Sequence, residues 1–243
     1  IMIKYISNLK QKQLQGKIIL LRADLNSDVK SGKVIKSERI KAASKTIKFL
    51  KNKKAKIIVI AHQSRPGKKD FLGLSQHAKT LNKYAKIKFV NDTTGRKAQR
   101  AINNIKQGEA ILLDNIRKEN DEFKPEKTRK NKLTKIFDIA DIYVNDAFSV
   151  CHRKQSSITL PPNLKHLKNK SYAGLLLEKE LESLKKINLS RTICILAGAK
   201  PKDNLKLFNN KPRKIIAAGI FGQMCLMSKG YRLGKENAKI NKS

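Results

Sequence analysis

Tryptophan is absent from the 243 residues, and all aromatic side chains together make up 5% of the chain. A platform that stacks the bases of a single strand is therefore poorly supplied. Cysteine is limited to Cys151, Cys194 and Cys225, odd in number and far apart, with no C-x-x-C pair. That argues against a zinc ribbon and a disulfide scaffold and leads us to expect a reducing, cytoplasmic compartment. No apolar run approaches the roughly 18–20 residues that span a bilayer, so no membrane partner is expected. The opening "IMIKYISNLK" has neither the apolar stretch nor the small-residue cleavage site of a secretory signal. Acidic residues are scarce too: 19 stand against 55 Lys and Arg, for a net charge of +36.

So large a charge raises the question of nucleic acid. Lysine outnumbers arginine roughly four to one, whereas base readout prefers the arginine fork. The lysines also run the whole length instead of collecting in one stripe. Only non-specific adhesion to polyanions at low salt is expected.

What is present is an alternation. Near-continuous apolar runs, rich in Ile and Val, occur at 17–23, 56–61, 87–90, 109–114, 141–146, 192–198 and 214–219. These are the signature of strands buried on both faces of a parallel sheet. Between them lie helix-spaced segments. In 37–52, Ile40, Ala43, Ile47 and Leu50 share a face behind Ser37 as N-cap; 74–85 and 127–140 follow the same spacing. The expected fold is α/β: a Rossmann-like parallel-sheet N-terminal domain plus the first part of a second α/β domain. Residues 160–172, with Pro161 and Pro162, read as irregular, and 173–187 as the longest amphipathic helix. The expected division is 1–172 for the first domain, 173–189 for an interdomain helix, and 190–243 for the start of the second.

In open parallel sheets ligands bind beyond the carboxyl ends of the strands. Those ends carry Asp24 and Asn26 after the first run, His62 and Arg65 after the second, Asn115 and Arg117 after the fourth, and Asp146, His152 and Arg153 after the fifth. Arg39 opens the following helix. Arginine is scarce here, yet it collects at one predicted rim, and its fork suits carboxylate and phosphate oxygens. The set would fit a small, multiply anionic ligand bearing a hydroxyl, such as a sugar-acid phosphate. His77 and His166 lack that context and read as surface or helix-face residues. Cys151 beside His152 has no further ligands around it, so neither a metal site nor a thiol nucleophile is expected. In "ILAGAKPKDN" a strand leads through Gly198 and Lys200 to a helix opening at Pro201, a natural phosphate seat. "AAGIFG", with Gly219, repeats the pattern, so the two together read as one wall of a nucleotide pocket. No P-loop pattern occurs anywhere in the chain.

These segments, "LLRADLN", "ERIKAASKTIKFL", "AHQSRPG", "GEAILLDNIR", "ADIYVNDAFSVCHR", "AGLLLEKELESL" and "LAGAKPKDN", stand in the order found in phosphoglycerate kinase, and the chain resembles archaeal members of that family along nearly its whole length. The resemblance implies two Rossmann-like lobes facing each other across a cleft. It implies reversible phosphoryl transfer between 1,3-bisphosphoglycerate and ADP, giving 3-phosphoglycerate and ATP, with a carboxyl group as acceptor. Asp24, Asn26, Arg39, His62, Arg65, Arg117 and Arg153 match its triose-binding positions. Arg39 and Lys200 would reach the phosphoryl group in transfer, and Gly198, Lys200 and Gly219 would line the nucleotide side. ADP or ATP would arrive with Mg2+, whose protein ligand is expected C-terminal to Ser243, since the family's Gly-rich nucleotide loop is missing here. Asn204 stands where bacterial and eukaryotic members have a second lysine. Read as C-terminally truncated, the chain alone is expected to bind the triose ligand and to turn over poorly or not at all. Two other readings stand beside this one: a half of a split enzyme that needs its missing C-terminal partner, and an inactive basic protein of the same fold that binds nucleic acid or a partner.

Overall fold

The computed structural model describes residues 3–35, 37–127, 130–198, 204–205 and 212–235. The chain forms two compact units, Ile1–Leu181 and Glu182–Ser243. The division falls inside the helix read from sequence as the connector.

The first unit is built on strands β1 (Ile18–Ala23), β2 (Val29–Lys30), β3 (Lys33–Val34), β4 (Lys56–Ile60), β5 (Lys88–Val90), β6 (Ala110–Leu113), β7 (Ile142–Asp146) and β8 (Ser171–Ala173). Its helices are α1 (Gln11–Leu14), α2 (Glu38–Asn52), α3 (Ser75–Leu81), α4 (Arg96–Asn103), α5 (Thr134–Phe137) and α6 (Ser156–Asn163), and α7 (Leu175–Lys185) begins here. Six strands form one parallel sheet in the order β5-β6-β4-β1-β7-β8, with β2 and β3 a separate antiparallel hairpin. Because the strands are parallel, their carboxyl ends share one edge. From β1 the chain adds β4, then β5 at the edge and β6 between them, and returns to add β7 and β8 on the other side; that reversal is where such sheets open a crevice.

Side chains alternate faces along each strand, and both faces are covered. Ile19, Leu21, Ile57 and Val59 pack with Ile40, Ile47 and Leu50 of α2 and with Ala78 and Leu81 of α3. On the opposite face Leu20, Ile58 and Ile60 pack with Ile102 of α4, Phe137 of α5 and Leu160 of α6. Burial on both sides is why the sequence runs are apolar throughout rather than alternating. Ser37 caps α2 as expected, its hydroxyl accepting from the Ile40 amide at 3.4 Å.

The seven apolar runs all form strands. The helix expected to be longest, at 173–187, is α7 and is shorter than α2, 11 residues against 15. Two further expectations fail, for local reasons. Residues 127–140 were expected to be helical, but among the described ones only Thr134–Phe137 is. Asn131 competes with the helix: its amide donates to the Asp121 and Lys124 carbonyls and to Ser156 Oγ, and its carbonyl accepts from the Leu133 amide. Leu133, Ile136 and Phe137 still reach the core, so the periodicity reported burial correctly and helix length wrongly. The stretch read as irregular holds the end of α6, which passes through Pro161 and Pro162. Pro161 has no N–H to give the Ser157 carbonyl four residues back. The Tyr143 hydroxyl donates to that carbonyl instead, at 2.7 Å.

The second unit contains β9 (Ile193–Leu196) and β10 (Lys214–Ala217), paired in parallel, and α8 (Gly219–Ser228). Among the described residues of this unit Ile193, Ile195 and Ile216 are exposed, while Leu196 and Phe221 are buried.

Candidate functional site

The carboxyl edge of the first unit's sheet carries a polar scaffold that fixes the loop after β4. Gln63 is fully buried. Its amide donates to the Ser27 carbonyl at 2.9 Å and to the Asp70 carbonyl at 3.2 Å, and its oxygen accepts from the Ser27 amide at 2.9 Å. Asn115, equally buried, donates to the Gln63 and Leu72 carbonyls at 2.8 Å each. Ser64 sits in the left-handed region at φ 54°, a conformation that costs a non-glycine residue roughly 1 kcal/mol or more. Three bonds hold it there. Its amide donates to Asn26 Oδ1 at 2.8 Å, its hydroxyl to Asp70 Oδ1 at 2.6 Å, and its carbonyl accepts from Arg117 Nη1 at 2.6 Å. Arg65 is the next residue, so its backbone position is set by Asn26, Asp70 and Arg117 together.

The cations converge. Burial first, and then the charges of Arg22, Arg117, Arg153 and Arg39, push the His62 ring far below the usual histidine range, leaving it neutral at physiological pH. Arg117 is itself lowered to about 10, by burial first and then by Arg22, with Arg153 and Arg65 contributing and Glu122 opposing; it stays charged at neutral pH. Five guanidiniums thus act on one small region. Arg39 is paired to Asp24, Nη1 to Oδ2 at 3.0 Å, and that carboxylate also accepts from the Ser149 hydroxyl at 2.8 Å. Arg117 Nη2 donates to Gln155 Oε1 at 3.2 Å. The Nε atoms of Arg117 and Arg153 are buried without a hydrogen-bond partner. Buried donors left unmade are costly.

Asp24, Asn26, Arg39, His62, Arg65, Arg117 and Arg153 all belong to this edge. Asn26 commits its Oδ1 to the Ser64 amide. Asp146 is not part of the rim. Its carboxylate accepts from the Thr46 hydroxyl at 2.6 Å and from the Leu176 and Leu177 amides at 2.8 and 3.0 Å, so it caps the start of α7. A Cβ on Gly174 would overlap that carboxyl group. His152 is exposed, and the neighbouring Cys151 thiol bonds to Asn145 Nδ2 and the Ala147 carbonyl. Sequence reasoning missed Arg22, Gln63 and Glu122. Arg22 had a signal: a cation at the fifth position of the apolar strand "IILLRA" faces inward and needs partners.

Of the two places expected for His77 the structure gives the helix face: it lies fully buried on α3, and its Nε2 donates to Gln63 Oε1 at 3.0 Å. Burial lowers its pKa to about 4, with the Asp114 charge opposing. Between about pH 6.5 and 4 the unfolded chain binds a proton at this ring that the folded chain does not, so stability falls as pH falls across that window. Relative to His77→Asn, the natural chain should lose about 3 kcal/mol between pH 7 and pH 4, read from urea unfolding at both pH values. Parallel profiles for the two proteins would contradict this.

In the second unit Gly198 follows β9 and Gly219 follows β10, with φ 108° and 56°. A Cβ on Gly219 would lie 3.4 Å from the Gly198 amide nitrogen. Two side-chain-free turns side by side at parallel strand ends are a donor set that fits a phosphate. Lys200, and the helix expected to open at Pro201, lie outside the described residues. Among the described residues no group of three His, Cys, Asp or Glu side chains could hold a metal ion, and no helix is long and apolar enough to cross a membrane.

A family model for phosphoglycerate kinase matches residues 9–243. The chain is 37% identical over 243 residues to the phosphoglycerate kinase of Sulfurisphaera tokodaii, covering 93% of this chain and 58% of that protein. It is 38% identical over 251 residues to that of Sulfolobus acidocaldarius, covering 97% and 60%. The crystal structure of phosphoglycerate kinase from Pyrococcus horikoshii OT3 superposes with a TM-score of 0.80 at 30% identity, over 99% of this chain and 61% of that one. The chain therefore spans about three fifths of the length of the relatives it matches.

Proposed function

The chain belongs to the phosphoglycerate kinase family, and from that premise we propose that its first unit binds 3-phosphoglycerate or 1,3-bisphosphoglycerate among the arginines that surround His62. The reaction this binding serves is reversible phosphoryl transfer between 1,3-bisphosphoglycerate and ADP in the cytoplasm, with nucleotide taken by the unit Glu182–Ser243, and the chain alone turns over poorly or not at all. The observation that carries this reading is the convergence of positive charge: four guanidiniums act on one neutral histidine, and Arg65 beside them is exposed and outside every ion pair among the described residues.

In this reading Arg65, Arg117, Arg153 and the His62 ring anchor the ligand's far phosphate and carboxylate. Asp24 orients Arg39, which is left half-exposed at 50% of its side chain. Arg39 offsets charge on the equatorial oxygens of the phosphoryl group, and Lys200 is assigned the same task. Phosphoryl transfer asks mainly for such positioning and charge compensation. Gly198 and Gly219 approach the nucleotide phosphates through their backbone. Mg2+ would enter with the nucleotide, screening its phosphates, and no residue of this chain is assigned to it.

Thermal unfolding with added ligand tests the binding step. At a hundredfold excess over Kd, 3-phosphoglycerate should stabilise the chain by about 2.7 kcal/mol, a rise in Tm of roughly 5–10 °C. Glycerate and sulfate at the same concentration should give much smaller shifts. An absent shift at millimolar 3-phosphoglycerate, or an equal one from sulfate, would sink the assignment.

A further inference from the structure

Arg22 and Glu122 are both fully buried, and neither is among the positions that the family resemblance marks out. The Arg22 side chain lies on the α6 face of β1 and has only donors to place. Its Nη1 donates to the Ala23 carbonyl at 2.8 Å, its Nε to Ser157 Oγ at 3.0 Å, and its Nη2 to His62 Nδ1 at 3.0 Å. Ser157 in turn donates twice to Glu122, from its hydroxyl to Oε1 at 2.7 Å and from its amide to Oε2 at 2.9 Å. Glu122 stands in the 3₁₀ turn Asn120–Phe123, a hundred residues along the chain from Arg22.

Each link has one direction. A guanidinium cannot accept, so His62 Nδ1 must, and the ring's proton is left on Nε2. Ser157 accepts from Arg22, which frees its hydroxyl hydrogen for the carboxylate. The carboxylate compensates a guanidinium that would otherwise be buried among Arg117 and its neighbours unpaired. His62 Nε2 makes no hydrogen bond to the protein and keeps access to solvent, so its N–H is open to a ligand.

We propose that Glu122 is a positioning residue: through Ser157 and Arg22 it holds His62 in the tautomer that carries its proton on Nε2, the donor offered to the phosphorylated acid. The proposal rests on the triose-binding reading for the identity of the ligand, while the tautomer itself is a property of the free protein. A cationic rim alone would attract the ligand without fixing which histidine nitrogen donates. The relay makes that choice before the ligand arrives.

The test is nitrogen NMR of His62 in the 243-residue chain, without ligand, for the natural protein, Glu122→Gln, Ser157→Ala and Ser157→Thr. The natural ring should show an unprotonated Nδ1 and a protonated Nε2. Ser157→Ala removes only the relay oxygen and should admit a measurable share of the other tautomer; Ser157→Thr keeps a hydroxyl and should restore the natural pattern. Glu122→Gln should behave as Ser157→Ala does, and both should weaken 3-phosphoglycerate about tenfold, the worth of one hydrogen bond. Should Glu122→Gln fail to fold, the serine pair decides alone. A proton on Nδ1 in the natural protein, or an unchanged ring in Ser157→Ala, overturns the proposal. If the tautomers behave as stated but no variant nor the natural chain binds 3-phosphoglycerate, the relay stands and the ligand assignment fails.

Discussion

Replacing Arg22 by methionine should destabilise the first unit by about 3–5 kcal/mol, the cost of leaving a buried carboxylate without the guanidinium that compensates it through Ser157. The size follows from what remains. Glu122 is buried and already pushed up by desolvation, with Arg22's charge the largest influence pulling it back. Ser157 Oγ loses the donor it accepts from, and His62 Nδ1 loses its own. A methionine fills the volume, so the loss reflects electrostatics and unmade hydrogen bonds rather than a cavity. Adding Glu122→Gln to Arg22→Met should recover part of the loss, giving a coupling energy above about 1 kcal/mol in a double-mutant cycle. Urea midpoints for the four proteins measure it. An Arg22→Met protein within about 1 kcal/mol of the natural one would show that the buried pair carries little.

Arg117→Met should weaken 3-phosphoglycerate by about a hundredfold or more. Two effects add. The first is a charge-assisted contact worth about 1.5–3 kcal/mol. The second is the bond from Nη1 to the Ser64 carbonyl, which helps hold a strained residue directly before Arg65; without it the second arginine is less well placed. Arg117→Lys keeps a charge but not the fork that reaches both Ser64 and Gln155, so it should recover only part of the affinity. Equal affinities for the lysine variant and the natural chain would mean that charge alone matters here. The tight packing of Arg117 makes some loss of stability expected in both variants, and ligand affinity is the discriminating readout.

How far these features could be read in advance depended on the distance over which each residue acts. Strand identity is local: Ile57, Ile58 and Val59 announce burial on both faces by themselves. Parallel topology then sends Asp24, His62, Asn115 and Arg117 to one edge without any knowledge of contacts. Residues whose meaning lies in a distant partner were not legible. Arg22 meets Ser157 across 135 positions and Asp146 meets Thr46 across 100. His77 reads as an ordinary helix-face residue until Gln63 is placed beneath the loop. Asn131 stopped a helix that its neighbours' periodicity favoured, because its side chain found three carbonyl and hydroxyl partners brought in by the fold. Pro161 would have argued against helix at 156–163 by any local rule, and it is tolerated because Tyr143, from another strand, supplies the missing donor.

In the proposed function scarce arginines at one sheet edge jointly hold a phosphorylated three-carbon acid. Arg65 offers the sharpest probe, since it is exposed and none of the ion pairs among the described residues involves it. Calorimetric titration of 3-phosphoglycerate into the natural chain and into Arg65→Ala should give one site in the first and an affinity about 10–100-fold weaker in the second, with the ligand-free Tm unchanged between them. No binding heat from the natural chain at millimolar ligand, or equal affinities for the two proteins, would contradict it.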